Sequence, residues 1–436
     1  MGQAPLTPDQ DRALREIVAA YGPGECHLLT GYAGTGKTYL MQVVARRFQA
    51  MGLEIALTAP THKAVAVLAT KIQEAGIENV TCRTIFSLLG LKPKVVADRQ
   101  VFERDRRAEP VTAHVVIVDE CSMVSADLLA HIRRYLPLAF VLFVGDPAQL
   151  PPVGEVASRT FETKSHSHLD TVVRQGAGNP ILDVATALRS SQGGPMDWSW
   201  CRSAKAPPLG VYLPADAQPW MRKAFTSDEF AGNPDTFRYL AWTNARVAEV
   251  NRQVREWRYG PNLRTPFMVG ERAMARGPVI IDGALRLTTN EEAEVLSIER
   301  GSFDHEFDDC EGAAGWVGTL QTWRIVLRKS DGDEITVHMP SDEREFNRIV
   351  ERVTDEAAQA RQRWKHLHEF KGSLAKLQSI YALTVHNSQG STFRNTFVDV
   401  PDIRRRAESN VLEAQQLLYV TATRPTHALI LVGVGK

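Results

Sequence analysis

Gly31, Gly36, Lys37 and Thr38 stand at the spacing G-x-x-x-x-G-K-[ST], between the apolar pair Leu28-Leu29 and a helix-like run from Tyr39 to Ala50. Strand, glycine-rich loop, then helix is the context in which backbone N–H groups turn inward around a phosphate and the helix adds its positive N-terminal end. Gly31, Gly34, Thr35, Gly36, Lys37 and Thr38 are therefore candidate nucleotide-binding residues. Lys37 would meet the β- and γ-phosphates, and Thr38 would ligate Mg²⁺. Asp119-Glu120 closes the apolar run Val115 to Val118. At a strand end downstream of a phosphate loop, such a pair can divide the work of hydrolysis: Asp119 holds Mg²⁺ and Glu120 polarises the attacking water as general base. After a further apolar run, Gly145 to Pro152 places the amide of Gln149 at a strand tip, where it can sense a γ-phosphate.

These residues need a parallel sheet to carry them. Leu53 to Thr58, Val115 to Val118 and Phe140 to Val144 read as buried parallel strands alternating with helical segments, a βαβ pattern. Thr7-Pro8-Asp9-Gln10 opens the first helix with a capping box,. Lys92 to Glu109 interrupts the rhythm as a charged insertion with Phe102 at its middle. A second α/β unit starts after Phe161, with a strand-like run from Phe237 to Trp242 and helical spacing from Asn244 to Trp257. Between Met268 and Met339 the runs shorten, and Asp282-Gly283 and Asp331-Gly332 predict hairpins of a small antiparallel barrel,. Ser341 to Phe370 predicts a charged helical stretch with Phe346, Ile349, Val350 and Val353 on its apolar face, and α/β signals return after Leu377.

Length and composition set outer bounds. A chain of 436 residues exceeds one ordinary core,. At 44% hydrophobic and 23% charged it has a globular composition, and no apolar run approaches the roughly 20 residues of a membrane helix. Met1 to Gln10 is polar and predicts no secretory signal,. A cytoplasmic location, in a bacterial or phage-infected cell, is the expectation. The five cysteines, Cys26, Cys82, Cys121, Cys201 and Cys310, form no C-x-x-C pair, which argues against a zinc site or a disulfide framework,. Formal charge is zero, so a polyanion would have to be held by a local groove,.

Taken together, Gly31 to Thr38, Ala59 to Ala64, Thr84 to Leu89, Asp119 to Met123, Gly145 to Pro152, Leu169 to Gln175, Thr384 to Thr392 and Tyr419 to Arg424 resemble, in order and spacing, a superfamily 1 DNA helicase of the RecD/Dda group. Glu413 to Val420 is the stretch most similar to its phage Dda branch. The resemblance implies an α/β fold with two RecA-like parallel-sheet cores of the P-loop NTPase type and ATP between them. Residues 1–90 and 110–160 would form the first core and 91–109 a hairpin, or pin, inserted in it. The second core would comprise 161–265 and 376–436, with 266–375 as an inserted small β-barrel with a helical extension. It further implies that Gln10 reads the adenine edge, that Arg174 and Arg424 reach the γ-phosphate, and that Gln389 and Gly390 link ATP to DNA. Pro60, Thr61, His62, Lys63, Thr84, Thr384, Val385 and His386 take the DNA-facing positions. Phe86 and Asn387 depart from the His and Lys usual in the group. Phe102 would be the strand-separating wedge, or else a residue packing the insertion onto its core.

The function implied is an ATP-dependent, Mg²⁺-requiring DNA helicase that moves on single strands 5′ to 3′ and unwinds at junctions with duplex. No membrane and no obligate protein partner is expected, although a single-strand-binding protein or replication and recombination factors are compatible companions. An RNA helicase of the same superfamily is one alternative, since nothing visibly tests for a 2′-hydroxyl. A non-unwinding DNA-binding factor switched by ATP is another, opposed by intact Glu120, Gln149 and Arg424.

Overall fold

A computed structural model describes residues 5–96, 99–171, 173, 180–190, 210–306, 317–359 and 363–434. The chain divides into two compact units, one comprising Met1–Leu91, Arg104–Arg258 and Tyr381–Lys436, the other Lys92–Glu103 and Tyr259–Ile380.

The first unit holds both parallel sheets. Helix α1 (Pro8–Ala19) leads to β1 (Cys26–Gly31), α2 (Lys37–Gln49), β2 (Ile55–Ala59), α3 (His62–Glu74), β3 (Val80–Thr84) and the single turn α4 (Ile85–Leu88). The chain then leaves through the strands β4 (Leu91–Val96) and β5 (Arg99–Arg104) and returns to β6 (Val115–Val118), α5 (Ala126–Tyr135), β7 (Phe140–Gly145) and β8 (His166–Leu169). The sheet order is β3-β2-β6-β7-β1-β8, every pairing parallel. Residues of β6 and β7 are all buried, as expected of strands covered on both faces. Leu29, Leu40, Val44, Phe48, Ile117, Phe140 and Leu142 share the core beneath the helices.

The first sheet runs on to Leu169, past the boundary at 160. Leu28 to Gly31 pair with His166 to Leu169. No apolar run announces this strand, because its polar side chains are satisfied internally: His27 lies 2.7 Å from Ser165 Oγ and 2.9 Å from Ser167 Oγ, and Thr30 Oγ1 lies 2.7 Å from His168 Nδ1.

Helix α6 (Pro180–Ser190), β9 (Gly210–Tyr212), α7 (Gln218–Phe225), α8 (Asp228–Gly232), β10 (Phe237–Ala241) and α9 (Asn244–Tyr259) begin the second sheet.

In the second unit, β11 (Arg272–Ala275), β14 (Glu292–Glu306), β15 (Val317–Lys329), β16 (Glu334–Pro340) and β17 (Leu377–Ser379) make an antiparallel sheet ordered β16-β15-β14-β11-β17,. The hairpin β12 (Val279–Ile281) and β13 (Ala284–Leu287) turns at Asp282-Gly283, both with positive φ, as the sequence predicts. Sheet and hairpin share one apolar core through Val279, Leu287, Val295, Ile325 and Val337. Helices α10 (Glu343–Gln359) and α11 (Arg363–Ser373) follow, and Phe346, Ile349 and Val350 pack with Phe370, Leu374 and Leu320. The body of the β4–β5 hairpin, Lys92–Glu103, belongs to this unit.

Back in the first unit, β18 (Ala382–Thr384), β19 (Phe393–Asp399), α12 (Val400–Ala407), α13 (Val411–Ala422) and β20 (Pro425–Val432) complete the second sheet. Its order is β18-β10-β19-β20-β9, again parallel throughout.

Candidate functional site

In an open parallel sheet, ligands are held at the carboxyl ends of the strands. The phosphate loop follows β1, Asp119-Glu120 follows β6, and Asp146 to Gln149 follows β7. These three strands are neighbours in the order β6-β7-β1, so segments far apart in sequence meet at one edge. Thr84 ends β3 and Thr61, two residues beyond β2, caps α3, in the other half of the same edge.

The phosphate loop is shaped by local demands. Gly36 has φ 80°, and a Cβ there would stand 2.5 Å from Gln10 Nε2, so both conformation and space require glycine. Gln10 Oε1 accepts from Thr7 N at 3.1 Å and Nε2 donates to Thr35 O at 3.0 Å. The capping box is present, and the same amide ties the loop to α1. Thr35 is fully buried, and its hydroxyl donates to Tyr32 O at 2.9 Å. Lys37 Nζ donates to Gly31 O at 2.6 Å and Tyr32 O at 3.0 Å, which keeps the ammonium within the loop's own curve.

At the end of β6, Asp119 Oδ1 accepts the Glu120 amide at 2.9 Å. Burial, and after it the Glu120 carboxylate, push Asp119 well above the usual carboxylate range, with Lys37 pulling the other way. Glu120 itself has φ 52° and ψ 43°. A bulky residue in the left-handed region costs on the order of 1–3 kcal/mol, a strain that concentrates at functional sites. Gln149 is buried, and among the described residues its Oε1 has no hydrogen-bond partner, which suits an acceptor awaiting a ligand or water. A hydroxyl at Thr38 and a carboxylate at Asp119 are hard oxygen donors of the kind Mg²⁺ takes.

Arg424 is buried. Its guanidinium donates to Val420 O at 3.2 Å, Ser391 O at 3.1 Å and Thr423 Oγ1 at 2.9 Å, so the second core holds it in place. Arg174 lies outside the described residues. Gln389 donates to Leu150 O at 3.3 Å, and a Cβ on Gly390, whose φ is 71°, would meet Ala64 Cβ at 2.9 Å and Thr61 Oγ1 at 3.1 Å.

Of the candidate DNA-facing residues, His62 is exposed and Pro60, Thr61, Lys63 and His386 are half-buried. Thr84, Thr384 and Val385 are buried. The threonine hydroxyls act as caps: Thr61 accepts from Ala64 N, Thr84 from Ser87 N, and Thr384 from Asn387 N at 3.3 Å. Their hydroxyls therefore organise the turns that follow β2, β3 and β18. Burial lowers the His386 pKa below its ordinary value, with Arg406 adding to the effect and Glu413 opposing it. Lys63 Nζ stands 5.0 Å from the centroid of the Phe393 ring. Phe102, in β5, is half-buried.

One contact has no sequence signal. Tyr419 donates to Asp146 Oδ2 at 2.5 Å and accepts from Ala33 N at 3.1 Å, joining α13 of the second core to two candidate segments of the first.

Residues 5–200 match the family described as AAA domain, and residues 379–432 match the UvrD-like helicase C-terminal domain. The chain is 38% identical over 164 residues to the ATP-dependent RecD2 DNA helicase of Deinococcus radiodurans, an alignment covering 37% of this chain and 21% of that protein. It is 27% identical over 380 residues to the RecBCD enzyme subunit RecD of Mycolicibacterium smegmatis, covering 77% of this chain and 66% of that one. These relatives are longer than the stretch they share with it. Among solved structures, a Pif1 helicase studied for unwinding at forked double-stranded DNA superposes with a TM-score of 0.51 at 16% identity, covering 98% of this chain and 92% of its own. That likeness shows a shared fold.

Proposed function

We propose that the chain, similar over residues 5–200 and 379–432 to superfamily 1 helicase domains, is an ATP-driven DNA helicase that moves along single-stranded DNA 5′ to 3′ and separates duplex ahead of it with its β4–β5 hairpin. The observation that carries the motor reading is the turn at Gln389-Gly390. Gln389 bonds to Leu150, one residue from Gln149, while Gly390 packs against Thr61 and Ala64 at the start of α3. One turn of the second core thus contacts both the side assigned to the γ-phosphate and the side assigned to DNA. A motor requires this linkage, because hydrolysis at one site must alter grip at the other.

In this reading the amides of Gly34 to Thr38 and the Lys37 ammonium bind the β- and γ-phosphates. Thr38 and Asp119 would hold Mg²⁺, which when bound would neutralise charge on the phosphate oxygens. Glu120 takes the proton from the attacking water, and Gln149 orients that water through its vacant carbonyl lone pairs. Arg424, joined by Arg174, stabilises the charge that develops on the transferred phosphoryl group, a role suited to a planar cation that stays protonated. Thr61, His62, Lys63 and the turns capped by Thr84 and Thr384 meet the sugar-phosphate backbone through their backbone amides, which gives grip without sequence preference. Phe102 acts as the wedge.

ATP hydrolysis measured with single-stranded DNA and with RNA of the same sequence tests the substrate assignment. Stimulation by DNA at concentrations where RNA is inert supports the DNA reading. Greater stimulation by RNA would move the chain to the RNA-helicase alternative, and hydrolysis indifferent to both would leave only an ATP switch.

A further inference from the structure

We propose that Tyr419 and Arg189 are positioning residues of the ATPase cycle, through which the second core grips Tyr32 and Ala33 of the phosphate loop and sets the turn that presents Gln149. The proposal rests on the helicase reading above.

Two independent contacts converge on adjacent loop residues. The Tyr419 hydroxyl accepts from the Ala33 amide at 3.1 Å. The Arg189 guanidinium, at the end of α6, lies 3.6 Å from the centroid of the Tyr32 ring, close enough for a strong cation–π contact. The Tyr32 ring also meets His168 edge-on, 5.3 Å between centroids, so it is held from two directions. Helices α6 and α13 are tied to one another, since Gln415 Nε2 donates to Leu188 O at 3.2 Å.

From Tyr419 the path continues into the catalytic turn. Asp146, fully buried, accepts the phenol at 2.5 Å through Oδ2 and the Ala148 amide at 2.9 Å through Oδ1, while its backbone carbonyl accepts the Gln149 amide at 3.1 Å. A phenol bonded to a buried carboxylate is a short, charge-assisted link. Burial, then Asp146, hold the Tyr419 pKa far above its ordinary value, so the hydroxyl remains a donor. Arg424 follows the C-terminal end of the same α13. Any movement of α13 that repositions Arg424 must carry or break the Tyr419 bonds, and so acts on the phosphate loop and on Gln149 together.

Tyr419→Phe keeps the buried ring and removes both hydrogen bonds. Its kcat for DNA-stimulated hydrolysis is expected to fall about tenfold or more, the effect of losing a charge-assisted bond to a buried carboxylate. KM for ATP and affinity for single-stranded DNA are expected to stay within about twofold, and ATP consumed per nucleotide translocated to rise. Arg189→Lys keeps the charge and loses the flat stack. It is expected to shift kcat and coupling in the same direction, which keeps the idea open to test should the tyrosine variant fold poorly. Wild-type kcat and coupling in both variants would overturn the proposal. So would parallel loss of melting temperature, ATP affinity and DNA affinity, because that pattern assigns the contacts to packing. A wild-type chain whose hydrolysis ignores DNA would remove the helicase reading, and this proposal with it.

Discussion

The Gln389 side-chain amide donates to the Leu150 carbonyl at 3.3 Å, and the next residue, Gly390, has φ 71° with no room for a Cβ against Ala64 at 2.9 Å. Two residues of one turn thereby join the second core to Leu150 and to the start of α3 in the first. The absence of a side chain at Gly390 is what lets the turn approach.

Gly390→Ala tests that fit. The substitution places a Cβ in a left-handed conformation and into backbone-anchored neighbours, so a cost on the order of 1–3 kcal/mol is expected. Stimulation of ATP hydrolysis by single-stranded DNA should drop more than basal hydrolysis does. Equal loss of basal and stimulated rates, measured side by side, would show that the turn supports folding alone.

Glu120→Gln removes the carboxylate proposed as proton acceptor and retains its shape. Hydrolysis should slow by roughly 10²–10⁴-fold while Mg-nucleotide binding persists, since the amide cannot act as a general base. Nucleotide affinity by fluorescence and steady-state turnover together decide the matter. Turnover near wild type would assign the proton transfer elsewhere.

His27 makes stability depend on pH. Burial pulls its pKa from 6.5 down to about 4, so the ring is neutral between Ser165 and Ser167 at pH 7. The unfolded chain takes up this proton near pH 6.5 and the folded chain only near pH 4. The neutral ring's contribution is thus whole above pH 6.5, shrinks as pH falls toward 4, and is absent below it, a change of about 3 kcal/mol. Melting temperature followed across that window should decline less steeply in His27→Gln. Superimposable slopes for the two proteins would contradict the assignment.

Phe102→Ala distinguishes a wedge from a packing residue. Loss of one aromatic–base stack, worth about 1–3 kcal/mol, should lower the unwinding rate roughly tenfold while translocation on single strands stays near wild type. An unchanged ratio of unwinding to translocation, with a lowered melting temperature, would assign the ring to the hairpin's packing.

Sequence made the phosphate loop, Asp119-Glu120 and Gln149 legible because each follows an apolar strand, and because Gly36 is dictated by its own backbone and a near contact. The capping box and the Asp282-Gly283 turn were readable for the same local reason. Strand β8 was not, since His166-Ser167-His168 hides a buried edge behind polar side chains that are satisfied by His27 and Thr30. Nor was the role of Tyr419, whose partners lie 273 and 386 residues away in sequence. The threonines at 61, 84 and 384 are placed from sequence only by family resemblance, as DNA-facing positions, and their use as caps appears only when the following turns are seen.

Strand separation on tailed duplexes tests the central claim most directly. With ATP and Mg²⁺, the wild-type protein should unwind a duplex carrying a 5′ single-stranded tail and leave 3′-tailed and blunt duplexes intact. Lys37→Ala, which removes the ammonium now bonded to Gly31 O and Tyr32 O, should unwind none of them while still binding single strands. Unwinding confined to the 3′-tailed substrate would contradict the direction proposed here, and DNA-stimulated ATP hydrolysis without separation of any substrate would contradict the helicase itself.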